Sequence, residues 1–299
     1  KARNLPYSQK EKVKNELMSL VDQNILSKVE SSTWATPIVV VERGPKIRIC
    51  GDYKSTLNKN LQTKIYPLPS TEECFNSMVG GQKFSVIDVK AAYNHVCMRE
   101  EDKKLTVINT HLGLFQWNRL PYGVSSSSGI FQEIMDDTLK GMDKVCCRID
   151  DILISGKDDH EHMMNLKEVI RRLQQRGFHC NWEKSKFFQE SVVYLGHRIS
   201  KSGIQPVKSK VEDLKAAPAP NNLAELISFL GAVNYYRRYL PNLAAVIEPL
   251  DKLRSTTWKW TETEDQAFKK LKDMLCSDAV LTLYDPSKKL KLDTDASAK

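Results

Sequence analysis

Apolar positions along this chain switch between a helical and a strand period, and the switches mark out its elements. Val13, Leu17, Leu20 and Val21 keep helical spacing within residues 8–30, predicting a packing helix with Ser8 as its cap and a Lys/Glu face toward water. From Trp34 to Tyr53 the pattern turns to strand. TPIVVVE and KIRICGDY are separated by Arg43-Gly44-Pro45, which reads as a hairpin with a basic tip. A short helix over TEECFNSM precedes the strand-like run Lys83–Lys90, and LTVINTHLGLFQW reads as strand with Gly113 as a bend. The Gly/Ser-rich stretch that follows becomes helical from about Ser128. Two short apolar runs then flank Asp150-Asp151, giving strand, tight turn and strand. Beyond them Met164, Leu166, Val169, Ile170 and Leu173 form the apolar face of a helix that Gly177 ends. VVYLGHRIS is a strand, KSGIQPVKSK a linker, and Leu223, Leu226, Ile227, Leu230 and Val233 open a helix-rich segment. The mixture predicts an α+β fold.

The chemistry lies in acids that break these patterns. Asp is disfavoured inside strands and favoured at turns, so Asp150 and Asp151 belong at the bend of their hairpin. Two adjacent carboxylates raise each other's pKa unless a cation shares the site, and a hard divalent ion with oxygen ligands, magnesium above all, suits them. Asp88 is a lone acid inside a strand, on the same face as Phe84 and Val86. If that strand lies beside the hairpin, Asp88 completes a three-carboxylate cage fit for two metal ions in phosphoryl transfer. Asp136-Asp137 falls within a helical pattern and is expected to face water. His160 and His162, near Asp158 and Asp159, are spaced so that they splay apart on a helix, and they read as a solvated helix start.

Composition adds limits. Hydrophobic residues at 41% and charged residues at 27% describe a soluble globular protein, and no run has the apolar length of a membrane span. The net charge of +8 suits an acidic partner. Seven cysteines without metal-ligand spacing read as reduced thiols in an intracellular protein. The first residues resemble no signal peptide, and the chain reads as a piece of a longer polyprotein.

Ordered blocks carry a resemblance: WATPIVVV from Trp34, KIRICGDYKSTLN from Lys46, FSVIDVKAAY from Phe84, LPYGVSSSSGIFQ from Leu120, the Asp150-Asp151 turn, YLGH from Tyr194 and SFLGAVNYYRRYLPNL from Ser228. Together they resemble the reverse transcriptase of a gypsy-type LTR retrotransposon, a relative of the retroviral enzyme, nearly end to end. The resemblance implies a right-hand polymerase with an antiparallel palm sheet. Fingers would occupy 1–62 and 96–127, palm 63–95 and 128–198, thumb 199–255, and a connection with the first strand of an RNase H domain 256–299. It implies that Asp88, Asp150 and Asp151 bind two Mg2+ ions, with Mn2+ able to substitute. It gives the triphosphate to Arg48 and to Arg43 or Lys46, and makes Tyr93 the gate under the sugar. Tyr122 stands by the base, and Tyr194, Leu195 and Gly196 form the primer grip. Either Lys184 or Lys186 protonates the departing pyrophosphate. Asp295 matches the first carboxylate of RNase H, without its partners. Expected partners are an RNA or DNA template with its primer and deoxynucleoside triphosphates, with no membrane, in a monomer or homodimer. The expected setting is a cytoplasmic retroelement particle or the nucleus. Tyr235, Tyr236, Arg237, Arg238 and Tyr239 mix rings and cations as nucleic-acid surfaces do, with half the rings expected in the core.

One departure is sensitive. The family has tyrosine two residues before the aspartate pair, and this chain has Arg148. Its guanidinium either pairs with Asp150 or Asp88 and competes with magnesium, or it contacts the primer in the duplex minor groove. The first outcome gives an impaired polymerase or a decayed, repurposed copy that binds nucleic acid or assembles without catalysis. The second gives an altered, working enzyme.

Overall fold

The computed structural model describes residues 2–44, 46–62, 66–240 and 242–275. In chain order its elements are α1 (Tyr7–Asp22), β1 (Leu26–Val29), β2 (Thr36–Arg43), β3 (Lys46–Gly51), α2 (Thr71–Asn76), β4 (Lys83–Asp88) and α3 (Glu100–Lys103). Then come β5 (Ile108–Thr110), β6 (Gly113–Trp117), α4 (Ser127–Leu139), β7 (Val145–Arg148), β8 (Asp151–Gly156) and α5 (Asp159–Gln175). The remainder is β9 (Lys186–Gln189), β10 (Ser191–Tyr194), β11 (His197–Ser200), β12 (Gly203–Pro206), α6 (Lys208–Ala216), α7 (Leu223–Tyr235), α8 (Leu243–Lys252) and α9 (Glu262–Leu275). These fall into two compact units, one drawn from 1–70, 87–152 and 165–185, the other from 71–86, 153–164 and 186 onward.

The first unit is built on a sheet in the order β1-β6-β5-β2-β3. Its pairs are antiparallel except β2 with β5, which run parallel from Thr36 beside Ile108. Helix α1 buries Val13, Leu17 and Leu20, the positions its apolar period picks out, against a core that includes Leu26, Ile49, Phe115 and Trp117. That helix starts after Pro6, so Ser8 lies inside it and caps nothing, contrary to the expectation from its side chain. Tyr53 is fully buried just after β3 and donates its hydroxyl to the Thr106 carbonyl at 2.8 Å, tying down the root of the basic hairpin.

The second unit holds the sheet β10-β11-β12 and helices α6 to α9 around an apolar core of Leu226, Leu230, Val233, Tyr236, Tyr239, Leu250, Phe268 and Leu271. Asn222 caps α7, accepting from the Glu225 amide at 2.9 Å. Here the sequence reading needs correction. VVYLGHRIS is two strands folded at Leu195-Gly196, because both residues take positive φ, and the expected linker contains β12. Ile227 and Met164 are exposed rather than packed. His162 is buried, hydrogen-bonded to Ser85 Oγ at 2.8 Å and stacked on Phe188, where a solvated position was expected.

A further sheet, in the order β7-β8-β4-β9, sets the two acidic stretches on neighbouring strands. Cys50, Cys97, Cys147 and Cys180 are free thiols, whereas Cys74 and Cys146 are disulfide-bonded, against the all-reduced expectation.

Candidate active site

The turn between β7 and β8 is tight enough to force Ile149 to φ 58°, a left-handed conformation that a β-branched side chain resists. Gln132, fully buried on α4, holds it there. The Ile149 amide donates to Gln132 Oε1 at 2.8 Å, while Gln132 Nε2 donates to the Cys147 carbonyl at 2.8 Å and to Asp136 Oδ1 at 2.7 Å. The main chain of the loop is thus fixed on both sides of Arg148. The sequence reading missed Gln132. Its signal was there: Gln132 shares the helical stripe of Met135 and Leu139, both buried.

Asp150 and Asp151 follow at once, and the main chain brings Asp88 to them: the Val89 amide donates to the Asp150 carbonyl at 2.8 Å. Asp88 is held from its other side, its carbonyl accepting from the Asn181 amide at 2.8 Å and its amide donating to Ser185 Oγ at 3.3 Å. Burial, then the like charges of Asp150 and Asp88, push the Asp151 carboxyl up to about 6, with Lys184 pulling the other way. Lys184 Nζ stands 3.8 Å from Asp88 Oδ2. Lys186, the other lysine considered, lies on β9 opposite Val86. So the three predicted acids and Lys184 come together.

Two tyrosines and an arginine line the same unit. Tyr93 lies in a short 3-10 turn just after Ala91, which takes φ 48°. Its ring packs 4.8 Å from that of Tyr122 and 5.6 Å from Phe131. The Arg48 guanidinium lies over the Tyr122 ring at 4.5 Å. Burial raises the Tyr93 hydroxyl, and Asp150 raises it further while Arg48 opposes, so this cluster shares one field with the aspartates. The loop carrying Tyr122 is pinned by Asn58, which donates to the Gly123 carbonyl at 2.9 Å and accepts from the Ser125 amide at 3.0 Å. Asp137 is exposed, as expected, and pairs with Arg176, whereas Asp136 is half-buried and accepts from the Tyr66 hydroxyl at 2.8 Å.

Arg148 forms no ion pair with Asp88, Asp150 or Asp151 among the described contacts, and its buried Nε has no hydrogen-bond partner. The backbones of Arg43 and Lys46 pair at the end of the β2–β3 hairpin. In the second unit Tyr194 is buried, and Leu195 and Gly196 form the hairpin turn. Asp295 lies outside the described residues.

Comparison with known proteins decides the family. Residues 47–199 match the model of the reverse transcriptase (RNA-dependent DNA polymerase) family, and residues 260–299 match the RNase H-like domain found in reverse transcriptase. The chain belongs to the reverse transcriptase family. It is 32% identical over 298 residues to the transposon Tf2-3 polyprotein of Schizosaccharomyces pombe, and 31% identical over 297 residues to the Tf2-7 polyprotein of the same yeast. These matches cover 98% of this chain, but it spans only 22% of the length of those relatives. In fold the chain is similar to the foamy viral protease-reverse transcriptase. The TM-score is 0.91 against a dRH form in complex with double-stranded DNA, at 24% identity over 96% of this chain and 51% of that one. Against the complex with an RNA/DNA hybrid it is 0.87, at 24% identity over 96% of this chain and 39% of the other. No described helix is long and apolar enough to cross a membrane.

Reverse transcriptases depend on divalent metal ions, and the donor chemistry here fits one. Burial and then the like charges of Asp150 and Asp88 lift Asp151, and a cation would relieve the part due to repulsion. Among the described residues no three His, Cys, Asp or Glu side chains are already gathered around a single point, so sharing an ion asks for side-chain rotation.

Proposed function

We propose that this chain is the RNA-directed DNA polymerase of a gypsy-type LTR retrotransposon, extending a primer on an RNA or DNA template from deoxynucleoside triphosphates. The observation that carries the reading is that Asp88, Asp150 and Asp151 share one field, with Asp151 raised to about 6 by burial and then by its two neighbours. The three aspartates would hold two Mg2+ ions, or Mn2+ in their place, which when bound acidify the primer 3′-hydroxyl and neutralise charge on the leaving pyrophosphate.

Around them this chain's own groups divide the work. Lys184, beside Asp88, is the better-placed of the two lysines to give a proton to the pyrophosphate. Arg48 presents a planar guanidinium suited to phosphate oxygens, held against Tyr122, with Arg43 or Lys46 as the second cation on its hairpin. The Tyr93 ring, wedged between Tyr122 and Phe131, is fixed well enough to bar a ribose 2′-hydroxyl. The turn at Leu195-Gly196 serves as primer grip. The fingers, palm, thumb and connection boundaries drawn from the sequence belong to this proposal, as does the retroelement particle as its setting.

Arg148 separates this reading from a decayed copy that only binds nucleic acid. Its freedom from the aspartates favours a working site. Primer extension with Mg2+ or Mn2+ is the test, comparing the chain with Arg148→Tyr and Asp88→Asn. The expected result is extension by the chain itself and none by Asp88→Asn. Extension by the Arg148→Tyr form alone would establish the decayed reading, and extension by Asp88→Asn would remove the metal assignment.

A further inference from the structure

The turn between β10 and β11 carries an unusual burden. Tyr194 pairs with His197, leaving Leu195 and Gly196 as a two-residue loop, with φ 44° and 71° respectively. Positive φ at both positions is the mark of a type I′ hairpin turn, for which Asn-Gly is the preferred pair. Leucine at the first position has no side-chain amide to ease the left-handed conformation, so this turn needs help from outside itself.

The help comes from one side chain at the C-terminal end of α7. The Tyr235 hydroxyl donates to the Leu195 carbonyl. A Cβ on residue 196 would lie 2.8 Å from that same hydroxyl oxygen and 3.2 Å from the ring. The ring of His197 stacks on that of Tyr235 at 5.1 Å and 22°. Three consecutive residues of the hairpin therefore bear on one tyrosine. Tyr235 remains 48% exposed while its neighbours Tyr236 and Tyr239 are buried, so filling the helical core is not its task. The carbonyl and amide of a trans peptide point in opposite directions. Holding the Leu195 carbonyl on the phenol therefore directs the Gly196 amide away from α7, as a donor for an anionic ligand.

We propose that Tyr235 is a positioning residue for primer extension. It locks the 195–196 peptide so that the Gly196 amide meets a phosphodiester of the bound primer. The inference rests on the primer-grip reading of this turn. The test is single-turnover addition of one nucleotide, with primer–template affinity followed by fluorescence anisotropy and melting temperature measured alongside, in Tyr235→Phe, Gly196→Ala and Tyr235→Phe/Leu195→Asn. Tyr235→Phe is expected to slow addition about five-fold, the loss of one ordinary hydrogen bond, while affinity stays as it is and the melting temperature falls by only about 2–3 °C. Adding Leu195→Asn supplies the preferred turn pair and is expected to restore the rate. If Tyr235→Phe runs at the original rate while Gly196→Ala is slow, Tyr235 has no positioning role and the grip stands. If Gly196→Ala also runs at the original rate, the grip reading falls with it.

Discussion

Replacing Gln132 by Met tests whether the acidic turn is held from the helix behind it. The two side chains are close in volume, so packing around α4 is kept and only hydrogen bonds are lost. The Ile149 amide and the Cys147 carbonyl, at 2.8 Å each, lose their partner inside the protein, at about 1 kcal/mol or somewhat more apiece. Asp136 loses a 2.7 Å bond but keeps the Tyr66 hydroxyl at 2.8 Å, which limits that part to about 1 kcal/mol. The sum is about 3–4 kcal/mol, equivalent to a melting temperature lower by about 10 °C in a protein of this size. Once the clamp is gone, Ile149 can leave its φ of 58°, and Asp150 moves with it. Misplacement by about 1 Å of a carboxylate that holds metal, the role proposed for Asp150, costs about a hundred-fold in rate. Urea denaturation and primer extension, at a temperature where the variant is folded, measure the two effects separately. A variant within about 1 kcal/mol of the parent, extending primers at the parent rate, would refute the claim that Gln132 holds the turn.

Three further outcomes follow from the same contacts. His197 is enclosed by Phe75, Tyr235, Tyr236 and Tyr239, with the charge of Arg238 nearby, and burial and that charge lower it from its ordinary 6.5 to about 4. The folded state keeps the imidazole neutral, so its contribution is whole above pH 6.5 and drains as pH falls toward 4, by about 3 kcal/mol in all; His197→Gln should flatten that slope in denaturation curves. Gly123→Ala forces a side chain onto φ 96° and puts Cβ 2.7 Å from the Gly51 carbonyl, a backbone atom that cannot swing aside, so a loss of about 2–4 kcal/mol is expected by urea denaturation. Lys184→Met should slow nucleotide addition about a hundred-fold, as loss of a general acid does, while Lys186→Met leaves it unchanged; the opposite pattern in single-turnover rates would reassign the proton donor.

The acids were legible in the sequence because an aspartate inside a strand run is locally costly, and that conflict survives without knowledge of the fold. Asp150 sits at the bend and Asp88 on the neighbouring strand, as the pattern expects, but among the described residues the three carboxylates are not gathered as a ready cage. Gln132 and His162 were not read as buried, for a shared reason. Each was judged by its neighbours in sequence, Gln132 beside a Gly/Ser loop and His162 by its spacing from His160. Each in fact continues an apolar stripe, Gln132 with Met135 and Leu139, His162 with Leu166, Val169 and Leu173. A polar residue on such a stripe is buried and must find partners, and those partners come from distant segments: Cys147 and Ile149 for Gln132, Ser85 for His162. The stripe was visible, but the identity of the partners required the fold. The hairpin at Leu195 was hidden for the opposite reason: Leu-Gly carries a weaker turn signal than Asn-Gly, and VVYLGHRIS reads as one strand.

The two strained turns share a construction that explains why they are fixed from outside. At Ile149 and at Leu195 a bulky residue sits in the left-handed region, at about 1–2 kcal/mol each. In each case a side chain from a helix engages that residue's own peptide groups, Gln132 accepting from the Ile149 amide and Tyr235 donating to the Leu195 carbonyl. One such bond is worth about 1 kcal/mol, close to the strain it opposes, so the geometry of either loop hangs on its clamp and not on local preference. A glycine or asparagine at either position would remove the strain and with it the dependence on the helix. The chain instead keeps residues that hold the loop shape only while α4 or α7 is in place, which ties the shape of each proposed functional turn to the packing of the helix behind it.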